Sequence, residues 1–359
     1  MNFNLSRRNN PVSANGNTTT NSTSPFRTSA TGTTDAERAR AANFDNPTFQ
    51  DRLYSNGVEP VPWHSAPQLI HSAITCIFGY VAGGATTAHI RSRAHRLVRL
   101  LNEAEIELSG ATEANLASNY LPYLSFRLSS PSVIPGSVTS RLPTAQSLHL
   151  GLSFRQDEYL ISNTVPNQCP PALQGDWPTI SQPKPDFTVG YRISNRKQRT
   201  LLTKTAKKRF SGQPWLQTAE NLVCARLVFE IKSSTKGGTT AKALYQLAAA
   251  TATCCRALDL MTSHCGSSEG AESPDPDGKF ARAELCLVFG IMMDEEMAYT
   301  TAAWKSATQD DYSFAKISLH SLTDDDEALT FFWRLEGIIR WLEEGKSEVA
   351  AFLERLSCW

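Results

Sequence analysis

The segment 284–293, ELCLVFGIMM, is a nearly unbroken apolar run and limits the fold more than any other stretch of this chain. A run of this kind leaves no face for water, so it predicts a strand in the middle of a sheet that is covered on both faces. The alanine-rich segment 240–261 comes before it and predicts a long helix. A doubly covered strand that follows a helix indicates an α/β layer structure.

Three more segments alternate between apolar and polar residues, as half-buried strands do. They cover 147–154, 186–193 (DFTVGYRI) and 225–232 (ARLVFEIK). Apolar residues at helical spacing in 93–108 predict an amphipathic helix. After the apolar run, the patterns predict strands through Trp304 and near 314–319, followed by helices at 327–343 and 347–356. The predicted core therefore has the order helix, three strands, helix, strand, with added C-terminal strands and helices.

Composition divides the chain into three regions. Residues 1–35 consist mainly of Asn, Ser, Thr and Gly and predict a disordered tail. Residues 36–140 predict a helical N-terminal region that packs on the core, with a helical pattern that Asn56 and Gly57 terminate. Residues 141–359 predict the α/β domain, which carries a basic insertion at 194–219 and a flexible loop at 263–280.

No segment of the sequence predicts a membrane span or a secreted protein. The longest apolar stretch, 69–82, contains His71 and is shorter than the about 20 residues that cross a bilayer. The N-terminus has no apolar signal core, so we expect an intracellular protein, nuclear or cytoplasmic, with no membrane partner. The eight cysteines are spread over a chain that is large enough to fold without disulfides, so we expect reduced thiols. The spacing of Cys254, Cys255, His264 and Cys265 does not match a zinc site.

Two carboxylates and an amine fall on the polar sides of neighbouring predicted strands. Asp186 begins one strand, and Glu230 and Lys232 lie two positions apart on the next, so their side chains leave the same face. Hydrolysis of a phosphodiester at neutral pH needs a divalent cation, and hard cations prefer carboxylate oxygens. These residues predict a Mg²⁺ or Mn²⁺ site in which Lys232 orients water or neutralises developing charge.

The motif PKPDF, followed downstream by FEIK, resembles the signature of the PD-(D/E)XK, or restriction-endonuclease-like, nuclease superfamily. The segments NPTFQDRLYSNGV, PKPDFTVGYR, LVFEIK, ALYQLAAATA and FWRLEGIIRWL are together similar to a group of fungal nuclease-like domain proteins. This resemblance spans about residues 45–356. It implies a restriction-endonuclease-like α/β core, in which helices flank a central mixed β-sheet.

The resemblance also implies roles for individual residues. It implies that Asp186, Glu230 and the backbone carbonyl of Ile231 are metal ligands, and that Lys232 is the catalytic lysine. Gln246 matches a polar helix residue that many members place beside the active site. The family often adds an acidic residue from its first helix, and the candidates here are Glu103, Glu105 and Glu107. The long gap between Asp186 and Glu230 implies an insertion relative to compact members.

The gap between the two predicted strands is strongly basic, although lysine plus arginine balance aspartate plus glutamate at 35 each in the whole chain. No acidic residue lies between Asp186 and Glu220, and the basic residues there are Arg192, Arg196, Lys197, Arg199, Lys204, Lys207, Lys208 and Arg209. Such a run predicts contact with the phosphates of a nucleic acid, DNA rather than RNA, with Trp215 as a stacking surface. The alternatives are a solvated loop or a nuclear-import patch around KTAKKR.

Three functional hypotheses follow from these patterns. The leading one is a divalent-metal-dependent nuclease that acts on DNA or RNA. The second is a catalytically inactive, nuclease-like module that binds nucleic acid or a protein, which would bind without stabilisation by a metal ion. The third is a structural protein that docks a partner through its acidic hairpin and C-terminal helices, for which the basic run would be dispensable.

Overall fold

The computed structural model describes residues 49–80, 83–103, 112–124, 150–160, 165–167, 179–193, 196–197, 200, 204, 222–233, 240–265, 286–306, 311–346, 349–350 and 353. Its helices are α1 (Phe49–Ser55), α2 (Gln68–Phe78), α3 (Gly84–Glu103), α4 (Glu113–Leu124), α5 (Thr240–Cys265) and α6 (Asp325–Glu344). Its strands are β1 (Val58–Pro60), β2 (Leu150–Gln156), β3 (Phe187–Ile193), β4 (Val223–Ile231), β5 (Val288–Met293), β6 (Met297–Lys305) and β7 (Tyr312–Ser321).

The strands form one 7-stranded mixed sheet in the order β1-β7-β6-β5-β4-β3-β2. The pairs β1 with β7 and β4 with β5 are parallel, and the other neighbours are antiparallel. A parallel pair needs a long crossover, and α5 is part of the crossover from β4 to β5. All residues of β5 are buried, which confirms the prediction of a central strand covered on both faces.

Helices cover both faces of the sheet. On one face α5 approaches so closely that a Cβ atom on Gly290 would lie 2.8 Å from the Leu247 side chain, so this position requires glycine. On the other face, the Phe289 ring contacts Phe78 of α2 and Trp341 of α6, with centroid distances of 6.0 Å and 5.7 Å. Alternation along β5 sends Phe289 and Gly290 to opposite faces and so separates the two helix layers.

Helix α6 shows how local chemistry sets the boundary of an element. The Asp324 side chain accepts hydrogen bonds from the backbone N–H groups of Asp326 and Glu327, which satisfies donors that the first turn leaves free. Acidic residues in the first turn also favour the positive end of the helix dipole. The apolar side of the helix is buried, including Phe331, Leu335 and Ile338.

The α/β class, the mixed sheet flanked by helices and the added C-terminal strands and helix were all predicted. Two features of the N-terminal region differ from the prediction. Helix α3 starts at Gly84, well before 93, and β1 joins the sheet edge although its three residues were not predicted as a strand. Glu59 and Pro60 are poor strand formers, and β1 exists because β7 offers it a partner.

Several predicted features lie outside the described residues, including the tail at 1–35, most of the loop at 263–280, and Trp215. Helix α5 continues to Cys265, beyond the predicted end at 261. Within the part of the chain that the structure describes, no helix combines the length and apolar character that a membrane crossing requires.

Candidate functional site

The pairing of β3 with β4 puts Asp186 opposite Glu230. Phe187 pairs with Phe229 in this antiparallel ladder, so the residues one step beyond each, Asp186 and Glu230, face one another. Directly opposed residues of an antiparallel pair project to the same face, with Cβ atoms about 5 Å apart. The two predicted carboxylates therefore meet at one end of the sheet.

This shared face is the one that α5 covers. Glu230 pairs with Met292 and Val228 pairs with Gly290, whose face packs against Leu247 of α5. Helix α5 runs antiparallel to β4, because Met261 near its end contacts Cys224 at the beginning of the strand. The first turn of α5 therefore lies at the end of β4, where Glu230 is found. That turn contains no acidic residue, so the positive end of the helix dipole is not neutralised within it.

Asp186 is held against the backbone of β4. The backbone N–H of Ile231 donates a hydrogen bond to Asp186 Oδ2 at 2.5 Å, and the Asp186 carbonyl accepts one from Asp157 N–H at 3.0 Å. The N–H and C=O of one strand residue point to the same side, so the Ile231 carbonyl lies on the side of Asp186. The three oxygen donors suggested by the sequence, from Asp186, Glu230 and Ile231, are thus near one another in the ladder.

Lys232 and Glu230 form an ion pair inside the protein. Their Nζ and Oε2 atoms are 3.7 Å apart, and only 7% of Lys232 and 3% of Glu230 is exposed. The Lys232 backbone N–H donates to the carbonyl of Met293 at 2.9 Å, which keeps Lys232 in line with the end of β4. Burial weakens the screening of this pair by water and strengthens its electrostatic interaction with other groups at the site.

Gln246 lies on the flank of α5 that faces β3 and β4. Asp259 marks the other flank, because it contacts Lys305 of β6 and Tyr312 of β7. A helix turns about 100° per residue, which places Gln246 on the side of α5 away from Asp259. Its Oε1 atom is buried and has no hydrogen-bond partner among the described residues. A buried acceptor of this kind is free to receive a donor or to face a cation.

The donor chemistry at this end of the sheet fits a hard divalent cation. Two carboxylates, one backbone carbonyl and the orphaned amide oxygen of Gln246 are all oxygen donors of the type that Mg²⁺ binds. Within the described residues there is no group of three or more His, Cys, Asp or Glu side chains that could hold a metal ion, so carbonyl oxygens and water would complete the coordination.

The basic residues predicted to bind nucleic acid are only partly within the described structure. Arg192, Arg196, Lys197 and Lys204 are exposed, whereas Arg199, Lys207, Lys208 and Arg209 lie outside the described residues. Arg192 is near the far end of β3 from Asp186, which at the rise of a strand is a distance of about 20 Å. The fold therefore does not bring Arg192 next to the carboxylates.

Of the three candidates for an acidic residue from the first helix, only Glu103 is described, and it is not brought to the site. Glu103 is exposed at the end of α3 and pairs with Arg99 at 3.3 Å, and Glu105 and Glu107 lie outside the described residues. Trp341 packs helix α6 on the sheet through its contact with Phe289.

The side chains of Cys224, Cys254, Cys255 and Cys286 are buried and form no disulfide, which agrees with the expected reduced thiols. Burial raises the pKa of the Cys224 thiol to about 12, and it raises that of Cys254 further. A thiol with a raised pKa stays protonated, which makes it a poor nucleophile and a poor metal ligand. The side chains of His264 and Cys265 lie outside the described residues.

Sequence reasoning missed a second buried charged cluster. Asp259 Oδ2 lies 3.5 Å from Lys305 Nζ, and the Tyr312 hydroxyl donates to the same carboxylate at 3.5 Å. Both charged residues stand alone in apolar or small-residue segments, which is the signal that indicates a buried pair. Their pairing depends on the packing of α5 on β6 and β7, which no local pattern reveals.

Comparison with protein-family models, with characterised proteins and with solved structures gives no significant match. The similarity to nucleases therefore consists of the motifs themselves. Any functional conclusion has to come from the arrangement of Asp186, Glu230, Lys232 and Gln246.

Proposed function

We propose that this protein is a divalent-metal-dependent nuclease of the PD-(D/E)XK type, which hydrolyses phosphodiester bonds in nucleic acid, with DNA as the favoured substrate. Two contacts carry the proposal. Asp186 Oδ2 accepts a hydrogen bond from the N–H of Ile231, the residue next to Glu230, and Glu230 forms an ion pair with Lys232. From α3 to β5 the order of elements is two helices, three strands, a helix and a strand. Apart from the additional helix α4, this is the order of the restriction-endonuclease-like core that the motifs imply.

Each residue at the site has a distinct part in this proposal. Asp186, Glu230 and the Ile231 carbonyl would hold a Mg²⁺ or Mn²⁺ ion, with the Gln246 amide oxygen beside them. When bound, such an ion polarises the phosphate and lowers the pKa of an attacking water. Lys232 donates N–H groups to the non-bridging phosphate oxygens, and Glu230 holds its ammonium in place.

The hydrogen bond from Ile231 N–H to Asp186 also holds a proposed metal ligand in position. It ties one carboxylate oxygen to the backbone of the strand that carries Glu230, so the distance between the two acids is set by the ladder and not by a flexible loop. Catalytic groups that are held in position by backbone contacts need less reorganisation during reaction. The basic residues Arg192, Arg196, Lys197, Arg199, Lys204, Lys207, Lys208 and Arg209 are proposed to bind phosphates along the rest of the substrate.

Cleavage of plasmid DNA and of RNA in Mg²⁺ or Mn²⁺ tests the proposal with three proteins. The Glu230→Gln/Lys232→Met double variant removes the buried ion pair without leaving one charge alone, and we expect it to reduce cleavage by about 10²-fold or more. The matched control is Asp259→Leu/Lys305→Met, which removes the other buried pair under α5 and should keep wild-type cleavage. Equal cleavage by all three proteins would contradict the assignment.

A second candidate is a nuclease-like module that binds nucleic acid or a protein without turnover. The near-complete burial of Glu230 and Lys232 favours it, because buried side chains cannot meet a phosphate without movement of the segments around them. The same cleavage experiment distinguishes the nuclease from the binding module. The module predicts no cleavage by the wild type and no stabilisation by Mg²⁺, with nucleic-acid binding that weakens as salt rises.

A further inference from the structure

His320 sits at the contact between the end of β7 and helix α6. It pairs with Ala298 of β6 in the ladder, and only 4% of it is exposed. Glu327 and Arg334 lie two turns apart on the side of α6 that faces it. The two ring nitrogens of His320 each contact one of these residues, so the imidazole bridges strand and helix.

The geometry fixes the protonation state of the ring. Arg334 Nη1 is 2.9 Å from His320 Nε2, and a guanidinium has only N–H donors, so Nε2 must be unprotonated and accept. His320 Nδ1 is 2.8 Å from Glu327 Oε2, so Nδ1 carries the proton and donates to the carboxylate. The imidazole is therefore neutral, in the Nδ1–H tautomer.

Protonation of the ring would remove one of its two contacts. A proton on Nε2 would point at an N–H group of Arg334, and the hydrogen bond would be replaced by contact between two cations. Arg334 is also held from the other side, since its guanidinium lies over the Phe78 ring of α2, 5.3 Å from the ring centroid. Arg334 therefore cannot turn away without loss of that stacking contact.

We propose that His320 is an acid-sensitive latch, which ties the end of β7 to α6 while its ring is neutral and releases Arg334 when the ring is protonated. The inference is independent of the proposed nuclease function, because α6 and Glu230 lie on opposite faces of the sheet.

The charges around the ring agree with this geometry. Burial lowers the pKa of His320, the hydrogen bond to Glu327 raises it, and the charge of Arg334 lowers it again, with a net shift below the ordinary value. Among the described residues, the charged groups that face the ring are Glu327 and Arg334, while β6 and α2 contribute the uncharged Ala298 and Phe78. Because 52% of the Glu327 side chain is exposed, water screens its attraction for a protonated ring.

The sign of the pH dependence follows from the lowered pKa. Folding favours the neutral ring, so the latch contributes fully above the unfolded-state value of about 6.5. Its contribution decreases as the pH falls from that value through the lower pKa of the folded state. Within this window, one linked proton raises the unfolding equilibrium constant by up to about tenfold per pH unit.

The test compares urea unfolding of the full chain at pH 7.5 and at pH 5.0. In His320→Gln, the amide oxygen can accept from Arg334 and the amide N–H can donate to Glu327, but the side chain does not titrate. We expect a smaller increase in the unfolding constant on acidification for His320→Gln than for the wild type. The control is His95→Gln, because His95 is an exposed histidine that pairs with Asp325 of α6. This variant should show the same change in the unfolding constant between pH 7.5 and pH 5.0 as the wild type.

An NMR titration of the wild-type imidazole tests the latch without any substitution. We expect His320 to be neutral at pH 7 with its proton on Nδ1, and to titrate below about 6.5. A protonated ring at pH 7, a proton on Nε2, or an identical pH dependence of His320→Gln and the wild type would overturn the proposal.

Discussion

Two buried pairs of a carboxylate and an amine lie under helix α5, one at each end. Glu230 and Lys232 are both on β4, 3.7 Å apart, at the end of the strand. Asp259 and Lys305 come from α5 and β6, 3.5 Å apart, at the opposite end of the sheet. The pairs have the same chemistry and similar burial, so what surrounds each of them distinguishes their roles.

The pair at the far end is surrounded by groups that satisfy it. The Tyr312 hydroxyl donates to Asp259, and the Lys305 ammonium lies over the Tyr312 ring at 5.0 Å. Burial, and next the charge of Asp259, raise the pKa of Tyr312, so the phenol remains a hydrogen-bond donor. This pair thus consists of one acid and one amine, with a neutral phenol that contacts both.

The pair at the end of β4 has additional acceptors instead. Asp186 brings a second carboxylate opposite Glu230, and the Oε1 atom of Gln246 is buried without a partner among the described residues. Carboxylate and amide oxygens are the donors that a hard divalent cation binds. The two pairs therefore differ in their neighbours: a second carboxylate and an unpartnered amide oxygen lie near the end of β4, and a phenol lies beside Asp259.

The largest expected effect on stability belongs to the pair of Asp259 and Lys305. Replacement of Asp259 by Ala leaves Lys305 buried without this carboxylate, and we expect the free energy of unfolding to fall by about 3–5 kcal/mol. The double variant Asp259→Leu/Lys305→Met should regain most of that loss, because an apolar pair replaces the ion pair. Urea unfolding measures both values, and equal losses in the single and double variants would show that the two residues are not coupled.

The addition of Mg²⁺ should distinguish the two ends of α5. At a free concentration of about 100 times the dissociation constant, a site that binds only the folded state raises the free energy of unfolding by about 2.7 kcal/mol. We expect this gain in the wild type and in Tyr312→Phe, and its loss in Asp186→Asn and Glu230→Gln. Thermal unfolding with and without Mg²⁺ provides the measurement, and an equal gain in every variant would place the ion elsewhere.

Gln246→Leu should have opposite effects on stability and on activity. Loss of an unpaired buried acceptor removes the desolvation cost of burying it in the folded state. Without metal we therefore expect the free energy of unfolding to rise by about 1 kcal/mol. The same change should reduce metal-dependent cleavage, because an oxygen donor beside the site is lost. If unfolding experiments instead show destabilisation, Gln246 has a structural partner and does not belong to the proposed metal site.

The smallest effect is expected for Tyr312→Phe. Its hydrogen bond to Asp259 is 3.5 Å long, so its loss should lower the free energy of unfolding by only about 0.5 kcal/mol. Tyr120→Phe is the matched comparison, since the Tyr120 hydroxyl donates to the Asp294 carbonyl at 2.6 Å and should contribute more. A larger cost for Tyr312→Phe than for Tyr120→Phe would mean that the phenol holds the Asp259 cluster together.

Much of the sheet could be predicted because its strands repeat a simple period. The alternation in β3 and β4, and the apolar run of β5, follow from which faces are buried. The beginning of α3 could not be predicted, since residues 84–92 have little apolar content. That part of the helix depends on tertiary packing, in which Ile90 is fully buried.

The candidate site was predicted in part. A period of two is enough to put Glu230 and Lys232 on one face, whatever the rest of the fold. The position of Asp186 opposite Glu230 depends on the register of β3 and β4. Packing of the Phe154, Phe187 and Phe229 rings supports that register, because a shift by one residue would turn these rings to the other face.

The sequence by itself determined the α/β class, the central strand and the side of β4 that carries charge, because each depends on the spacing of neighbouring residues along one chain segment. Tertiary structure decided which distant groups meet. The packing of the elements brings Asp186 to the end of β4 that carries Glu230, and it pairs Asp259 with Lys305. It also leaves Gln246 Oε1 without a partner among the described residues. These contacts depend on register, on helix rotation and on burial, which are set by the packing of whole elements and have no local pattern.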